Sequence, residues 1–215
     1  MDSPGPSDLK DRRLAIVAYG TSRSVEKACE RVDVPSLVTL DRESILSCDG
    51  IVLPGGMSFA GAMQELTDAD VASALREAHA AGTPLLGIGI GMQVLFERSS
   101  ESPGVAGLGL LGGEVNKLSA TSEHKVPHVA SKPVTWCRPT PLTEGLPEPS
   151  CFAHMHSFVA QPADAADILG WSEHHVPFVS AVGRDALLGV QFRPEKSRFA
   201  GMALLHNFAR LCVPG

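Results

Sequence analysis

Residues 86–93 place a glycine at the position where a strand–turn–helix site would carry a nucleophile. They read as the end of an apolar strand, a glycine turn and the start of a helix. A cysteine at such a turn faces a helix N-terminus, which favours the reactive thiolate. The turn residue here is Gly89, which has no side chain and cannot attack a carbonyl carbon. Taken alone, the segment predicts only a tight turn, and its glycine spacing is not that of a dinucleotide-binding loop.

A second segment, residues 190–197, holds a cation where a general base would be useful. Its sequence is Val-Gln-Phe-Arg-Pro-Glu-Lys-Ser, with Arg193 two residues before Glu195. A guanidinium stays protonated at every relevant pH, so Arg193 cannot take a proton from a nucleophile. The Glu195 carboxylate could orient an imidazole, but the segment contains none. Arg193 therefore either pairs with Glu195 or fills the space above Gly89.

Two further segments could bind a substrate or a metal ion. A predicted strand is followed by Gly55 and Gly56, which suits either an oxyanion-binding turn or an ordinary β-turn. His154 and His156 alternate onto one face of an extended segment, with Cys151 nearby. No second ligand pair occurs at zinc-site spacing, so we expect neither a metal nor a cofactor. A lone cysteine such as Cys151 is typically an unreactive packing residue.

The composition bounds the class of protein and its partners. With 215 residues, of which 44% are hydrophobic, the chain is predicted to form a disordered leader over residues 1–10 and one domain over residues 11–215. The net charge of −6 and the lack of a Lys/Arg-rich block argue against a nucleic-acid partner. No apolar run is long enough to span a membrane. Five cysteines at irregular spacing indicate reduced thiols and a cytoplasmic location.

These positions depend on an alternation of strands and helices along the chain. Short apolar runs predict strands at residues 14–18, 36–40, 50–53 and 85–88. Helices are predicted at residues 22–32, 67–81, 92–98 and 198–211. The alternation indicates an α/β fold with a mostly parallel sheet flanked by helices. Runs broken by proline and glycine over residues 114–188 predict additional antiparallel ribbons.

Two of the predicted helices have features that fix their boundaries or their buried face. Thr67 and Asp70 give the helix at residues 67–81 the start of a capping box. The helix at residues 198–211 is amphipathic and is predicted to turn four apolar side chains inward, namely Phe199, Met202, Leu205 and Phe208.

Taken together, the segments resemble the class I, or triad, glutamine amidotransferases, and most of all the glutaminase subunit of imidazole glycerol phosphate synthase. The resemblance covers nearly all of residues 12–213. It rests on residues 15–20, 51–55, 86–97, 107–111, 125–128, 156–158 and 189–197, which occur in the family's order. It implies a flavodoxin-like α/β fold. In this family an elbow cysteine attacks the side-chain amide of glutamine, a histidine activates the cysteine, and a glutamate orients the histidine.

The same resemblance implies a role for each position of the site. The family's cysteine falls on Gly89 and its histidine on Arg193, and only Glu195 matches the triad. The glutamine pocket corresponds to Gly55, Gly56, Gln93, His156, Ser157 and Phe158. The family passes ammonia to a (β/α)8-barrel cyclase, and the contacts with such a partner correspond to Lys125, Pro127, His128 and Lys132. The chain departs from the family's pattern at Met57, at residues 22–23 and at residues 129–132.

Three functions are compatible with a site that lacks its nucleophile and its base. The first is an inactive subunit that supports a HisF-like cyclase or synthase, which uses ammonia or another nitrogen donor, for instance in specialised metabolism. The second is a functioning amidotransferase whose nucleophile has moved, for example to Cys151 or Ser58. The third is a regulatory module whose former glutamine pocket binds a small amine or amino acid. The paired loss at Gly89 and Arg193 favours the first function.

Overall fold

The computed structural model describes residues 9–212, whose strands form a large main sheet and a separate two-stranded ribbon. The strands are β1 (Leu14–Val17), β2 (Ser36–Thr39), β3 (Gly50–Leu53), β4 (Leu85–Ile88), β5 (Arg98–Ser99), β6 (Gly113–Lys117), β7 (His128–Pro133), β8 (Thr135–Trp136), β9 (Cys151–His156), β10 (Phe158–Pro162), β11 (Ile168–His174), β12 (Val176–Arg184) and β13 (Leu187–Val190). The helices are α1 (Ser22–Glu30), α2 (Arg42–Leu46), α3 (Phe59–Asp68), α4 (Val71–Ala80), α5 (Ile90–Gln93) and α6 (Arg198–Leu211).

The main sheet has a parallel half and an antiparallel half. Its strand order is β2-β1-β3-β4-β13-β12-β10-β6-β5, and the pairs from β2 to β13 are all parallel. From β13 to β6 the pairs are antiparallel, β5 pairs with β6 in parallel, and β11 is paired with β12 and β8. β7 and β9 form the separate antiparallel ribbon. The predicted fold class, including the antiparallel additions in the second half, is therefore confirmed.

The parallel half positions the candidate site because its strands end at one edge. β1, β3, β4 and β13 are buried along their whole length, as their apolar sequences predict. One core lies between the sheet and helices α1 and α6, and the other lies against α3 and α4. The carboxyl ends of neighbouring parallel strands meet at the same edge of a sheet. The segments that follow β3, β4 and β13 therefore converge there.

The prediction of one long helix over residues 67–81 is wrong, because two helices meet within that region. Thr67 lies in the last turn of α3, where its hydroxyl donates to the Met63 carbonyl at 2.7 Å. Asp70 precedes α4 with φ 54° and makes no side-chain cap, so there is no capping box. A left-handed residue cannot continue an α-helix, and the chain therefore breaks between α3 and α4.

The prediction of a helix over residues 92–98 is also wrong, since α5 ends at Gln93. The carbonyl groups that should continue the helix are taken by a distant loop instead. Leu108 N donates to Val94 O at 2.7 Å, and Leu110 N donates to Leu95 O at 2.9 Å. Each carbonyl that a loop N–H occupies is withdrawn from the i to i+4 pattern of a helix.

The last helix has the predicted bounds, but one of its four inward residues is misplaced. Leu205 and Phe208 are buried, and Met202 is partly buried against the same core. Phe199 is 70% exposed because the buried face of α6 runs through Ala200 and Leu204 instead. Of the predicted leader, residues 1–8 lie outside the described residues, and Leu9 is buried in the core that contains α6. Within residues 9–212, no helix has the length and apolar character needed to cross a membrane.

Candidate functional site

Gly89 occupies a turn with positive φ between β4 and α5, with empty space where a side chain would stand. Its backbone has φ 58° and ψ −113°, and its N–H donates to Val190 O at 2.7 Å. A Cβ atom built on it would meet nothing closer than 3.9 Å. In contrast, a Cβ on Gly91 would lie 2.1 Å from Leu53 O, so that glycine is required for α5 to pack on β3. The turn of a nucleophilic elbow is therefore present without the nucleophile.

Substitution of Gly89 by alanine is expected to lower the free energy of unfolding by about 1–2 kcal/mol. The loss comes from the positive φ, which side chains other than glycine adopt at a cost, because the surrounding space is open. Urea denaturation of the purified protein measures the change. A matched control is Gly82→Ala, which shares a positive φ of 82° and open surroundings but follows α4 and does not line the cavity. A loss at Gly82 with none at Gly89 would contradict a strained elbow.

Arg193 and Glu195 form an ion pair directly beside this turn. Arg193 Nε donates to Glu195 Oε1 at 2.8 Å, and the Glu195 side chain is completely buried. The second carboxylate oxygen, Oε2, has no hydrogen-bond partner among the described residues. Of the two interpretations of Arg193, pairing with Glu195 is the arrangement found, and the arginine also lines the cavity above Gly89.

The segment that carries this ion pair is held against the ribbon by two hydrogen bonds and braced by a third within the segment. Arg193 N donates to Ala153 O at 2.8 Å, and Ala153 N donates to Ser197 Oγ at 2.9 Å. Ser197 Oγ in turn donates to Arg193 O at 2.6 Å. Phe152 and Phe192 stack beneath this contact with ring centroids 4.1 Å apart. The position of Arg193 therefore depends on β9.

A cavity of about 330 Å³ opens at the carboxyl edge of the sheet above Gly89. It is lined by Gly55, Gly56, Met57, Gly89, Ile90, Gln93, Glu101, Met155, His156, Ser157, Phe158, Gln191 and Arg193. All six residues predicted for the former glutamine pocket are in this lining, together with two of the three triad positions. Glu195 lies behind Arg193. The cavity thus brings together residues that are up to 138 positions apart in the sequence, from Gly55 to Arg193.

Five residues of the cavity were not predicted as parts of it, namely Met57, Ile90, Glu101, Met155 and Gln191. Gln191 could have been found, because it lies in the segment that carries Arg193. Glu101 has no such signal. Its carboxylate accepts a hydrogen bond from Phe59 N at 2.7 Å, a contact across 42 residues that only the fold creates.

Buried amide and imidazole groups form one wall of the cavity. Gln93 Nε2 donates to Gln191 Oε1 at 3.0 Å and to Phe158 O at 3.1 Å. His156 Nδ1 also lies 3.1 Å from Phe158 O, so this nitrogen carries the proton and Nε2 is an acceptor. His156 Nε2 has no partner among residues 9–212. Burial holds the pKa of His156 well below its ordinary value, and the neighbouring His154 lowers the pKa further, so the ring is neutral at pH 7.

The opposite wall presents backbone N–H groups. Gly55 and Gly56 follow β3, and Thr21 N donates to Gly55 O at 2.8 Å, which fixes this turn. The N–H groups of Gly56 and Ile90 donate to no acceptor within the part of the chain that the structure describes. Such N–H groups on either side of an elbow can bind a developing oxyanion. The geometry therefore suits the oxyanion interpretation, although the elbow offers nothing that would form an oxyanion.

The residues predicted to meet a partner lie together at a second cavity of about 390 Å³. Lys125, Pro127, His128 and Lys132 line it, with Glu123, His124, Val129, Ala130, Glu173, His174 and His175. Of the two strands of the ribbon, β7 contributes to this lining. Two apolar side chains on that ribbon, Val129 and Met155, pair across the strands and are 63% and 61% exposed. The fold thus collects the predicted contact residues into one continuous surface.

Comparisons with known proteins decide the family. Residues 11–211 match the family described as glutamine amidotransferase class-I. This chain belongs to the class I glutamine amidotransferase family. The imidazole glycerol phosphate synthase subunit HisH of Moorella thermoacetica is 41% identical over 93% of this chain and 95% of that protein. The HisH subunit of Methylococcus capsulatus is 38% identical over 92% of this chain and 95% of that protein. The chain is therefore a HisH homologue.

Solved amidotransferase structures share the fold. The structure of PurLQS from Thermotoga maritima superposes with a TM-score of 0.71 over 92% of this chain and 97% of that chain, at 19% identity. The glutaminase domain of Trypanosoma brucei CTPS, with bound acivicin, superposes with a TM-score of 0.66 over 93% of this chain and 92% of that chain, at 18% identity. At these identities the likeness concerns the amidotransferase fold alone.

The other thiols and hydroxyls considered for this amidotransferase-like site lie outside its cavity. Cys151 is exposed at the start of β9, and Ser58 caps α3 by accepting a hydrogen bond from Gly61 N at 3.1 Å. Neither residue lines the cavity above Gly89. Cys151 is also not the packing residue that the sequence suggested, because the odd positions of β9 face solvent. Within residues 9–212, no group of three or more His, Cys, Asp or Glu side chains is arranged to hold a metal ion.

Proposed function

We propose that this HisH homologue is an inactive amidotransferase subunit that supports a HisF-like (β/α)8-barrel cyclase or synthase in the cytoplasm. The barrel would take ammonia or another nitrogen nucleophile from solution instead of ammonia released from glutamine. The proposal includes a role outside histidine synthesis, for instance in specialised metabolism, because a nutrient pathway would be expected to keep its glutaminase. The relatives' description as a synthase subunit supports the partnership.

The observation that carries the proposal is the pair of Gly89 and Arg193 in an otherwise complete site. The elbow, the oxyanion-type N–H groups and the cavity are all present. Gly89, however, places no side chain in the cavity. Arg193 is bonded to Glu195, so the carboxylate that would orient a base instead neutralises a guanidinium. Without a nucleophile and a base, glutamine hydrolysis loses the covalent step on which the family depends.

Ser157 is the one hydroxyl or thiol in the cavity lining, and its surroundings do not make it a nucleophile. Its Oγ has no hydrogen-bonded base among the described residues. The adjacent His156 is a poor base, because burial lowers its pKa well below the ordinary value. A relocated nucleophile at Ser58 or Cys151 is disfavoured because both lie outside the cavity.

The decisive experiment assays the purified pair with two nitrogen donors in parallel. We expect turnover with an ammonium salt and no glutamate release from glutamine above the level of the barrel alone. The positive control is the synthase that contains HisH of Moorella thermoacetica, assayed under the same conditions. Gly89→Ala is the matched variant, and we expect it to leave ammonium-dependent turnover unchanged.

Glutamine hydrolysis that survives substitution of Gly89 would contradict the proposal. In that case, alkylation by a glutamine-analogue electrophile followed by peptide mapping would identify the relocated nucleophile. Failure of the two subunits to associate at any pH would contradict the supporting role while leaving the loss of hydrolysis intact.

A second function, binding of an amino acid in the former glutamine pocket, is favoured by the charges of the cavity. Arg193 and Glu101 line it with opposite charge, and the acceptor His156 Nε2 is unpartnered. An amino acid offers a carboxylate and an ammonium to such a pair. Calorimetry with a panel of amino acids separates the two functions, since a supporting subunit needs to bind none. Binding that Arg193→Gln abolishes would establish the second function.

A further inference from the structure

Six of the eight histidines lie in one contiguous cluster beneath the β7–β9 ribbon. This histidine cluster consists of His124, His128, His154, His156, His174 and His175. Neighbouring ring centroids are 4.3 to 5.6 Å apart, with His128 and His174 the closest pair. The two remaining histidines, His79 and His206, have no ring contact with it among the described residues. The cluster therefore concentrates most of the chain's imidazoles at one junction.

The cluster joins the ribbon to the main sheet. His128 on β7 faces His156 on β9 in register, and His154 Nε2 lies 2.9 Å from Ser180 Oγ on β12. His174 ends β11, and its ring packs on that of His128 from the main sheet. His128, His154, His156 and His174 are each at most 8% exposed. The ribbon is thus seated on buried imidazole rings.

These rings are packed for the neutral state. The Nε2 atoms of His128, His156 and His174 have no hydrogen-bond partner among residues 9–212, and none of the six rings forms an ion pair with a carboxylate there. A buried ring that gains a proton also gains a donor that needs a partner. Two adjacent charged rings would in addition repel each other. Charging the cluster therefore opposes its packing.

The charged groups around the cluster lie on both of its sides. Glu123, Lys125, Lys132 and Glu173 come from the loop before β7, from β7 and from β11. Glu101 and Arg193 line the other cavity together with His156, and Arg193 is paired with Glu195 rather than with a ring. β10 and β12 contribute Phe158, Phe178 and Ser180, which carry no charge. Burial is the main cause that lowers the pKa of His128 and of His174, and the charge of Lys132 lowers both further, while the Lys125 backbone raises the pKa of His174. The exposed carboxylates of Glu123 and Glu173 form no ion pair with a ring in the described part of the chain, so the cluster has no built-in counter-charge.

We propose that the histidine cluster makes the β7–β9 ribbon a proton-sensitive docking surface. At neutral pH the uncharged cluster seats the ribbon on the main sheet and shapes the cavity that holds Lys125, His128 and Lys132. When two or more rings are charged, the ribbon separates and that surface is lost. The docking part of this inference rests on the proposed function, whereas the separation of the ribbon does not.

The direction of the pH dependence follows from the buried rings. Burial lowers the pKa of His128 and of His154 from 6.5 to about 4. Between pH 6.5 and 4, a separated ribbon therefore binds more protons than a seated one. The free-energy preference for the seated ribbon is therefore fully present above pH 6.5, and it decreases as the pH falls through this window. Because several rings titrate together, the change is expected to be steeper than that of one isolated group.

The chain contains a natural reporter of ribbon separation. Trp136 contacts Phe152 of β9 edge to face, with ring centroids 6.4 Å apart. The only other tryptophan of the sequence is Trp171, which is 36% exposed. The variant Trp171→Phe therefore leaves Trp136, which faces the ribbon, as the single tryptophan, and its emission under selective tryptophan excitation can be followed from pH 8 to pH 4 at constant ionic strength.

We expect a steep, reversible change in Trp136 emission between pH 6.5 and 4. Adding His174→Gln removes the closest ring pair and is expected to shift the midpoint down by about half a pH unit or more. Adding His79→Gln, which lies outside the cluster, is expected to shift nothing. An unchanged emission over the range, or equal midpoints in the two histidine variants, would overturn the inference.

Co-elution with the HisF-like barrel tests the docking part. We expect co-elution at pH 8 to be lost within the same pH window, and His174→Gln to retain it at a pH where the parent has dissociated. Co-elution that persists after the Trp136 change would overturn the assignment of the ribbon as the docking surface. Absence of co-elution at pH 8 would count against the proposed function instead, and the Trp136 titration would still decide whether the ribbon separates.

Discussion

Replacing Gly89 by cysteine together with Arg193 by histidine is expected to create glutamine hydrolysis at least about 100-fold above that of the parent protein. The cavity can accept the new thiol, since a Cβ at residue 89 meets nothing closer than 3.9 Å. Glu195 is already buried at the position from which it can orient an imidazole at residue 193. The N–H groups of Gly56 and Ile90 remain available to the oxyanion.

Two measurements follow this restoration independently. Glutamate release reports turnover in the presence of the barrel partner, and mass spectrometry after treatment with a glutamine-analogue electrophile reports whether residue 89 is labelled. The control without a thiol is the variant that carries Gly89→Ala and Arg193→His, which is expected to show neither. If the doubly restored protein folds but is neither labelled nor active, the cavity no longer places glutamine at the elbow, and the amino-acid-binding function gains support.

Truncating Arg193 to alanine is expected to lower the free energy of unfolding by about 2–3 kcal/mol. The Glu195 side chain is fully buried, and its only hydrogen-bond donor among the described residues is Arg193. Removing the guanidinium leaves a buried carboxylate without a counter-charge, which typically costs more than the pair itself contributes. The figure is set below the full cost of breaking a buried pair because the Arg193 side chain is 24% exposed.

Urea denaturation at pH 7 tests this loss, and two variants isolate its cause. Adding Glu195→Gln to Arg193→Ala removes the stranded charge and is expected to recover more than half of the loss. Arg98→Ala breaks the solvent-exposed pair with Glu114 and is expected to leave the stability unchanged. Equal losses for Arg193→Ala and Arg98→Ala, or no recovery with Glu195→Gln, would show that the carboxylate is not the cause.

The parallel half of the fold was predictable because its strands are buried on both faces. β3 and β4 are short, wholly apolar runs that end in glycine turns, and such runs have few alternatives in an α/β chain. The shared edge of those strands then places Gly55 beside Gly89. The convergence of the cavity residues is thus a consequence of topology that the sequence already contains.

Helix α3 was not predicted, although its own segment contains the local features of a helix. Ser58 caps it, and Phe59, Ala62, Met63 and Leu66 form its buried stripe. The early end of α5 is a different kind of error, because the Leu108 and Leu110 N–H groups that compete for its carbonyls come from a distant segment. No window of local sequence contains that competition.

The histidine cluster shows the same limit at the level of the site. Two of its members, His154 and His156, were recognised as sharing one face of a strand. The others became neighbours only through the pairing of β7 with β9 and the packing of His174 on His128. Spacing within one segment cannot predict a contact that depends on the register of two strands.

Because Gly89 has a positive φ, a change to glycine at this residue favours folding stability, whereas the reverse change opposes it. If a cysteine preceded glycine at residue 89, as the proposed function implies, the change to glycine relaxed a turn that any side chain strains. Any mutation back to cysteine must restore that strain before the thiol gives any benefit. Under the proposed function, the substitution that ended glutamine hydrolysis also stabilised the fold, and the reverse substitution would destabilise it.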